Sequence, residues 1–295
     1  HMGGISPLLR MPLYGMAVVL RPDFDARAVA ADVEAHGVTC VSLVPTMLGR
    51  LLDSGAGATL GERLRVVLLG GAPATDSLLD RAFAADVPVF PTYGMTETAS
   101  QIATARPAEA AASPGTVGRP LLWTDLSVRD EAGEPLPTGE AGELVVDGPT
   151  VTPGYFRNEA ANEAAFGPHG LRTGDVGYRD EAGRVWVLDR VDDRIVTGGE
   201  NVDPGEVAAA IREVPGVDDA VVVGLPDDEW GERVAALVAA DGATEADVEA
   251  HCLERLAGFK RPKTLRFVDA LPRTTSGTVE RERVRDLLSD DGDPA

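Results

Sequence analysis

A carboxylate and two hydroxyl groups follow shortly after the apolar run 87–90, in the segment Tyr-Gly-Met-Thr-Glu-Thr at 93–98. If this run is a strand of an open α/β sheet, the polar side chains lie at its carboxyl end, where such folds bind ligands. The ring of Tyr93 could stack on a nucleobase, the hydroxyl of Thr96 could bond a phosphate, and the carboxylate of Glu97 could hold Mg²⁺. The segment therefore predicts a nucleotide site, although a strand that leads into a capped turn uses the same residue types.

Other polar and glycine-rich segments along the chain also lie in loops or directly after apolar runs. Gly-Gly-Ala-Pro at 70–73 ends an apolar run, and backbone without side chains can approach a flat ligand closely there. Thr-Gly-Asp at 173–175 lies in a turn and carries a carboxylate suited to accept hydrogen bonds from a diol. The remaining segments of this kind lie at 189–193, 197–201 and 272–277.

The first 112 residues must form the elements that position these side chains. They alternate between helical stretches and short, largely apolar runs. Such runs are typical of strands that are buried on both faces in a parallel sheet covered by helices. The predicted strands are 17–20, 40–44, 66–69 and 87–90, and the predicted helices are 25–36, 46–53 and 75–85.

The pattern changes twice further along the chain. From Pro114 onward, glycine and proline recur around short β-like runs at 125–129, 143–146 and 184–188, which predicts a small antiparallel sheet or barrel. After Asp189 a helix opens at 203 with an N-cap aspartate followed by proline. The predicted elements of this last part are helices 203–214, 245–257 and 280–288 and strands 220–224, 234–239 and 265–268.

These patterns together predict an α/β fold with two domains. We expect a partial large domain at 1–189, made of an α/β sheet layer at 1–112 and a small antiparallel sheet or barrel at 113–189. A separate α+β carboxyl-terminal domain is expected at 190–295.

The composition limits the classes of partner. A net charge of −21 argues against nucleic acid or an anionic membrane surface as a partner, and the sequence leaves the oligomeric state open. Only Lys260 and Lys263 supply lysine among the 27 basic residues, which favours a protein of a high-salt, halophilic cytoplasm. No apolar run approaches the roughly 20 residues needed to span a bilayer, and no signal peptide is visible, so we expect a cytoplasmic protein.

The segments at 70–73, 93–98, 173–175, 189–193, 197–201 and 272–277, taken in this order, resemble the acyl-adenylate-forming, or AMP-binding, superfamily. The resemblance extends over essentially the whole chain. Within the superfamily, the chain most resembles the 2-succinylbenzoate–CoA ligases of menaquinone biosynthesis. The segments that carry this narrower resemblance are His-Met-Gly-Gly-Ile-Ser at 1–6, residues 41–48, and 93–101 with Ser-Gln at its end.

The resemblance implies an ATP-dependent reaction in two steps, with ATP, Mg²⁺ and CoA as the cofactors and co-substrates. A carboxylic acid first attacks the α-phosphate of ATP, which yields an acyl-adenylate and pyrophosphate. The thiol of CoA then attacks the acyl carbon and releases AMP. Such an enzyme mainly positions its reactants and stabilises charge.

The resemblance also implies roles for the nucleotide-binding residues. Tyr93 would stack on adenine, Gly71 and Ala72 would line the other side of the ring, and Gly94 belongs to the same motif. The catalytic pair would be Thr96, which bonds the α-phosphate, and Glu97, which holds Mg²⁺. Asp175 would accept hydrogen bonds from both ribose hydroxyls, and Arg190 would reach the ribose region.

Four further positions match family features outside the nucleotide site. Asp192 matches the hinge about which the small domain rotates between the two half-reactions. Gly198 and Gly199 match the loop that lines the CoA tunnel after rotation. His1 matches a gate beside the acyl pocket, although a terminal residue without a role is an equally simple interpretation.

The chain departs from the family pattern in two respects. The phosphate-binding loop, rich in Ser, Thr and Gly and ending in Lys, does not occur in these residues. The chain therefore resembles the carboxyl-terminal part of a longer enzyme, and we expect this fragment alone to be inactive. Thr278 stands where the family has the lysine that bridges the substrate carboxylate and the α-phosphate, and Arg281 or Arg283 could compensate.

These departures keep two alternatives to the 2-succinylbenzoate reaction open. One is an acyl- or aryl-CoA synthetase that acts on a different carboxylic acid. The other is a non-catalytic relative that binds a nucleotide or an acyl-adenylate, which would explain both the absent loop and Thr278.

Overall fold

A computed structural model describes residues 2–190, 193, 195–274 and 279–289. The chain forms two compact units: residues 1–173 with 177–187 make up the first, and residues 174–176 with 188–295 make up the second. The fold is mixed α/β. None of the helices in the ranges described is both long and apolar enough to cross a membrane.

A five-stranded sheet in the order β1-β2-β3-β4-β5 organises the first part of unit one. Strands β1, β2 and β3 pair in parallel, whereas β4 and β5 continue the sheet antiparallel. The parallel prediction therefore holds for the first three strands only. The strands are β1 Cys40–Leu43, β2 Val66–Leu69, β3 Val89–Tyr93, β4 Ala103–Thr104 and β5 Arg119–Pro120.

Most of the helices in this part of the chain pack against the sheet and bury its apolar side chains. Leu48, Leu51 and Leu60 are fully buried and pack against Val67 and Val89 of the strands. The helices of this part are α1 Met2–Tyr14, α2 Ala26–His36, α3 Pro45–Asp53, α4 Gly57–Arg63, α5 Asp76–Ala84 and α6 Pro107–Ala112.

Side-chain caps fix where two of these helices begin. Asp25 accepts a hydrogen bond from the amide of Ala28 at 2.7 Å and starts α2. Thr75 accepts from the amide of Leu78 at 3.3 Å and starts α5. Both caps satisfy amides that have no partner inside the helix, which is why the predicted start positions are accurate to one residue.

The predicted strand at 17–20 is wrong. These residues have no regular secondary structure, and the side chain of Leu20 is 68% exposed. A run of four apolar residues does not by itself distinguish a strand from an extended connection. The strand predicted at 87–90 exists but is displaced toward the carboxyl end, so that Tyr93 is its last residue.

A second sheet, most of whose residues belong to unit one, has the order β10-β9-β7-β6, with β8 paired to β9. Its core is formed by Leu126, Leu144, Val146 and Val185, against which Tyr93 also packs. The elements are β6 Asp125–Arg129, β7 Gly142–Asp147, α7 Glu159–Ala165, β8 Phe166–Gly167, β9 Gly170–Arg179 and β10 Val185–Arg190.

Unit two is built on a sheet in the order β12-β11-β14-β13, with β15 parallel to β14. Both faces of the β13–β14 pair are buried, one against α8 and α9 and the other against α10. The elements are β11 Ile195–Thr197, β12 Glu200–Val202, α8 Pro204–Arg212, β13 Val217–Asp227, β14 Gly231–Ala240, α9 Glu245–Arg255, β15 Thr264–Val268 and α10 Arg281–Ser289.

Both lysines of the chain lie in this unit and contact other side chains. The ammonium group of Lys260 donates to both carboxylate oxygens of Glu206, at 2.7 and 2.6 Å. The ammonium group of Lys263 lies 3.6 Å from the centroid of the Trp230 ring. Neither lysine is therefore a freely solvated surface charge.

Candidate functional site

The carboxyl ends of β1, β2 and β3 lie side by side. The amide of Gly70, just after β2, donates to the carbonyl of Leu43 at the end of β1 at 3.2 Å. Leu69 pairs with Pro91 of β3, two residues before Tyr93. Gly71, Ala72 and Tyr93 are therefore at the same edge of the sheet, as expected for ligand-binding residues in an open α/β fold.

A tight turn follows Tyr93. Thr96–Thr98 form one turn of 3₁₀ helix, and the hydroxyl of Thr98 accepts from the amide of Met95 at 3.3 Å. Thr98 is buried, whereas Thr96 is exposed and Glu97 is half-buried. The capped-turn interpretation thus applies to Thr98, while Thr96 and Glu97 remain accessible to a ligand.

Gly94 allows the turn to close on itself. A Cβ atom at this position would lie 1.6 Å from the carbonyl oxygen of Ser100, so the two stretches of backbone are in direct contact. Gln101 then donates to the hydroxyls of Thr92 and Thr104 at 3.1 and 2.9 Å. The close backbone contact at Gly94 and the hydrogen bonds of Gln101 together hold the carboxyl end of β3 in place.

Glu97 is held by a segment that no motif in the sequence indicates. The phenol of Tyr155 donates to Oε1 of Glu97 at 2.9 Å, and the amide of Thr152 donates to the Glu97 carbonyl at 2.7 Å. Burial first, and the hydrogen bond to Glu97 second, raise the pKa of Tyr155 above that of an ordinary tyrosine. The available signal was Gly-Tyr at 154–155, one of only four tyrosines in the chain.

Asp175 and Arg190 form an ion pair within unit two. Nη1 of Arg190 lies 3.3 Å from Oδ1 of Asp175, on the neighbouring strands β10 and β9. The side chain of Asp175 is only 10% exposed, whereas that of Arg190 is 54% exposed. A carboxylate beside an arginine can accept hydrogen bonds from both hydroxyls of a diol.

Gly198 and Gly199 form the two-residue loop of the β11–β12 hairpin. Thr197 pairs with Glu200, and φ is +59° at Gly198 and +84° at Gly199. Two consecutive positive φ angles are typical of a tight hairpin turn and favour glycine at both places. The turn itself therefore accounts for the glycines, and their role beside CoA stays a prediction.

Three predicted site residues lie outside the residues that the structure describes: His1, Asp192 and Thr278. Within the described ranges, no group of three or more His, Cys, Asp or Glu side chains could hold a metal ion by itself. Glu97 nevertheless fits Mg²⁺, because this ion usually takes one or two carboxylates from the protein and completes its octahedron with waters and phosphates.

Comparison with protein families places this geometry in a known group. The model of the AMP-binding enzymes matches residues 1–156, and that of the AMP-binding enzyme C-terminal domain matches residues 206–278. The 2-succinylbenzoate–CoA ligase of Bacillus licheniformis is 42% identical over 288 residues, which are 96% of this chain and 59% of that protein.

Solved structures give the same result. The o-succinylbenzoate CoA synthetase of Bacillus subtilis in complex with the acyl-adenylate intermediate has a TM-score of 0.87 at 39% identity, over 97% of this chain and 59% of that one. The same enzyme in complex with ATP and a magnesium ion has a TM-score of 0.86 at 38% identity, over 98% and 59%. The chain thus spans about three fifths of the length of these relatives. The matched models, and the agreement in fold along nearly all its residues, establish that the chain belongs to the AMP-binding enzyme family.

Proposed function

We propose that this chain is part of an ATP-dependent acid–CoA ligase whose acid is 2-succinylbenzoate. The observation that carries the proposal is the turn after β3, which leaves Thr96 and Glu97 accessible beside the glycines that follow β2. The chain is 42% identical in sequence to a 2-succinylbenzoate–CoA ligase over 96% of its length. This similarity supports the choice of acid and a role in menaquinone biosynthesis.

The proposed reaction joins a carboxylate to CoA in two balanced steps. In the first, a carboxylate oxygen attacks the α-phosphorus of ATP, and the bond to the bridging oxygen breaks to release pyrophosphate. In the second, the CoA sulfur attacks the acyl carbon, its proton is lost to solvent, and AMP leaves with the former carboxylate oxygen. Activation is needed because a free carboxylate is a poor electrophile.

The residues of the chain would bind and orient the nucleotide in this reaction. Tyr93 would stack on adenine, Thr96 would donate to the α-phosphate, and Asp175 would accept from the ribose with Arg190 beside it. Mg²⁺, held by Glu97, would neutralise phosphate charge when bound. Gly198 and Gly199 would leave room for the pantetheine arm of CoA, and His1 would flank the acyl pocket.

The proposal also includes the domain boundaries and the cellular environment of the protein. We propose a domain boundary near 189–190, with Asp192 as the hinge and a subdivision of the large domain near 112. We also propose that the high acidity and the near absence of lysine reflect a halophilic cytoplasm, since salt screens repulsion between surface carboxylates.

A thioester assay tests the function on the gene product that contains this chain. 2-Succinylbenzoate, benzoate and octanoate are each supplied with ATP, Mg²⁺ and CoA, and the acyl-CoA product is quantified by mass spectrometry. Thioester formation with 2-succinylbenzoate at a higher kcat/KM than with either monocarboxylate is expected. Turnover of the monocarboxylates alone would assign a different acid. Nucleotide binding without any thioester would support the non-catalytic alternative.

A further inference from the structure

The Tyr155 hydroxyl contacts the Glu97 carboxylate across 58 residues of sequence, at 2.9 Å. We propose that Tyr155 is a positioning residue, which orients the Glu97 carboxylate toward the magnesium ion that accompanies ATP. This inference rests on the proposed function, because it assigns a role to the residue that would hold the metal there.

The loop that carries Tyr155 binds Glu97 at two points. The amide of Thr152 donates to the main-chain carbonyl of Glu97 at 2.7 Å, while the phenol three residues later donates to its side chain. The backbone and the carboxylate are thus fixed by the same short segment. A side chain with three rotatable bonds loses most of its freedom under such constraints, so the cost of ordering it when a metal binds is reduced.

Tyr155 is itself held in place. The Asn162 side chain in α7 accepts from the Tyr155 amide at 2.6 Å and donates to the Tyr155 carbonyl at 3.0 Å. The Tyr155 ring also contacts that of Phe166 edge to face, with centroids 5.8 Å apart. Asn162 and Phe166 therefore support the tyrosine that orients Glu97, as expected for the outer shell of a metal site.

A phenol suits this task chemically. It offers one hydrogen bond to one carboxylate oxygen, and a carboxylate has about four acceptor positions, so capacity remains for a metal. A neutral donor also leaves the negative charge of Glu97 intact, whereas an arginine or lysine in its place would compete with the cation. Among the residues that the structure describes, Tyr155 supplies the one side-chain hydrogen bond recorded for Glu97.

The test compares Tyr155→Phe with Tyr178→Phe in the gene product that contains this chain. Tyr178 is also half-buried and stacks on Trp186, so its variant controls for the loss of a phenol. ATP binding is measured by calorimetry while free Mg²⁺ is varied, and AMP binding is measured without metal. Tyr155→Phe should raise the Mg²⁺ concentration for half-maximal ATP binding by about tenfold and leave AMP affinity unchanged. Tyr178→Phe should change neither quantity.

A second pair of variants connects the effect to the carboxylate. Glu97→Gln should raise the Mg²⁺ concentration for half-maximal ATP binding by more than Tyr155→Phe does. Adding Tyr155→Phe to Glu97→Gln should cause no further change, because the tyrosine acts through Glu97. An unchanged Mg²⁺ dependence in Tyr155→Phe, beside a normal response of the wild type, would overturn the positioning role alone. A wild type that binds ATP without any response to Mg²⁺ would overturn both this inference and the proposed function.

Discussion

The Nε atom of Arg281 lies 2.9 Å from Oδ2 of Asp193, whose side chain is only 10% exposed. The same guanidinium donates from Nη1 to the carbonyl of Val222 in β13 at 3.1 Å. Arg281 thus joins the start of α10 to two other parts of unit two. This engagement weakens the hypothesis that Arg281 replaces the family lysine at 278, and it leaves Arg283, which is exposed, as the other nearby candidate.

Removal of the Arg281 side chain should destabilise unit two. Arg281→Met leaves the Asp193 carboxylate largely buried with a weaker set of partners, and we expect a loss of about 1–3 kcal/mol in the free energy of unfolding. Urea denaturation followed by circular dichroism measures this loss. The matched variant Arg283→Met changes an exposed residue and should stay within about 0.5 kcal/mol of the wild type. Equal stabilities of the two variants would show that the Arg281 contacts contribute little.

The substitution Thr278→Lys tests the second departure from the family. Because Arg281 is engaged elsewhere, we expect lysine at 278 to increase acid-dependent exchange of pyrophosphate into ATP by at least about tenfold, equivalent to about 1.4 kcal/mol. The measurement uses the gene product that contains this chain, with Thr278→Ser as the control. An exchange rate that lysine does not change would show that another cation already serves this step.

Gly94→Ala should disturb the turn that presents Glu97. The added Cβ would meet the Ser100 backbone, which cannot move without opening the turn. We therefore expect the free energy of unfolding to fall by several kcal/mol, on the order of the effect of a severe core substitution. Gly167→Ala is the control, because its Cβ would meet nothing within 4 Å. Thermal denaturation should separate the two variants clearly. A melting temperature for Gly94→Ala equal to that of the control would mean that the close approach to Ser100 is not required.

The pair Arg21–Asp32 should make stability depend on acidity. The hydrogen bond from Arg21 holds the pKa of Asp32 below its usual value, against the opposing effect of burial. The stabilisation is therefore complete above the unfolded value of about 3.9 and is lost as the pH falls through the lower folded value. Urea midpoints of Asp32→Asn and the wild type should differ most between about pH 5 and 7 and converge in stronger acid. A difference that grows on acidification would contradict this sign.

Local signals in the sequence were sufficient for most of the elements. Asp25, Thr75 and Asp203 each satisfy the amides at the start of a helix, and such caps depend only on residues within one turn. The strand prediction at 17–20 was wrong because the apolar character of a run gives no information about whether another strand lies beside it. Whether a run pairs is decided by distant parts of the chain.

The site could be predicted only where its residues are adjacent in sequence. Thr96 and Glu97 stand in one motif, whereas the contact between Tyr155 and Glu97 joins residues 58 positions apart. No periodicity or spacing connects them, because the packing of a loop against the end of β3 determines which atoms meet. The contact of Arg281 with Asp193 escaped prediction for the same reason.

The two lysines, one bonded to Glu206 and one stacked on Trp230, restrict how the chain responds to amine chemistry. Amine-directed cross-linkers and lysine-specific proteases act on side chains only at 260 and 263, both in unit two. Each modification would also abolish a contact within that unit. Labelling yield at these two positions is therefore a site-resolved measure of how tightly unit two holds its own cations, and the lysine-free first unit contributes no side-chain background to it.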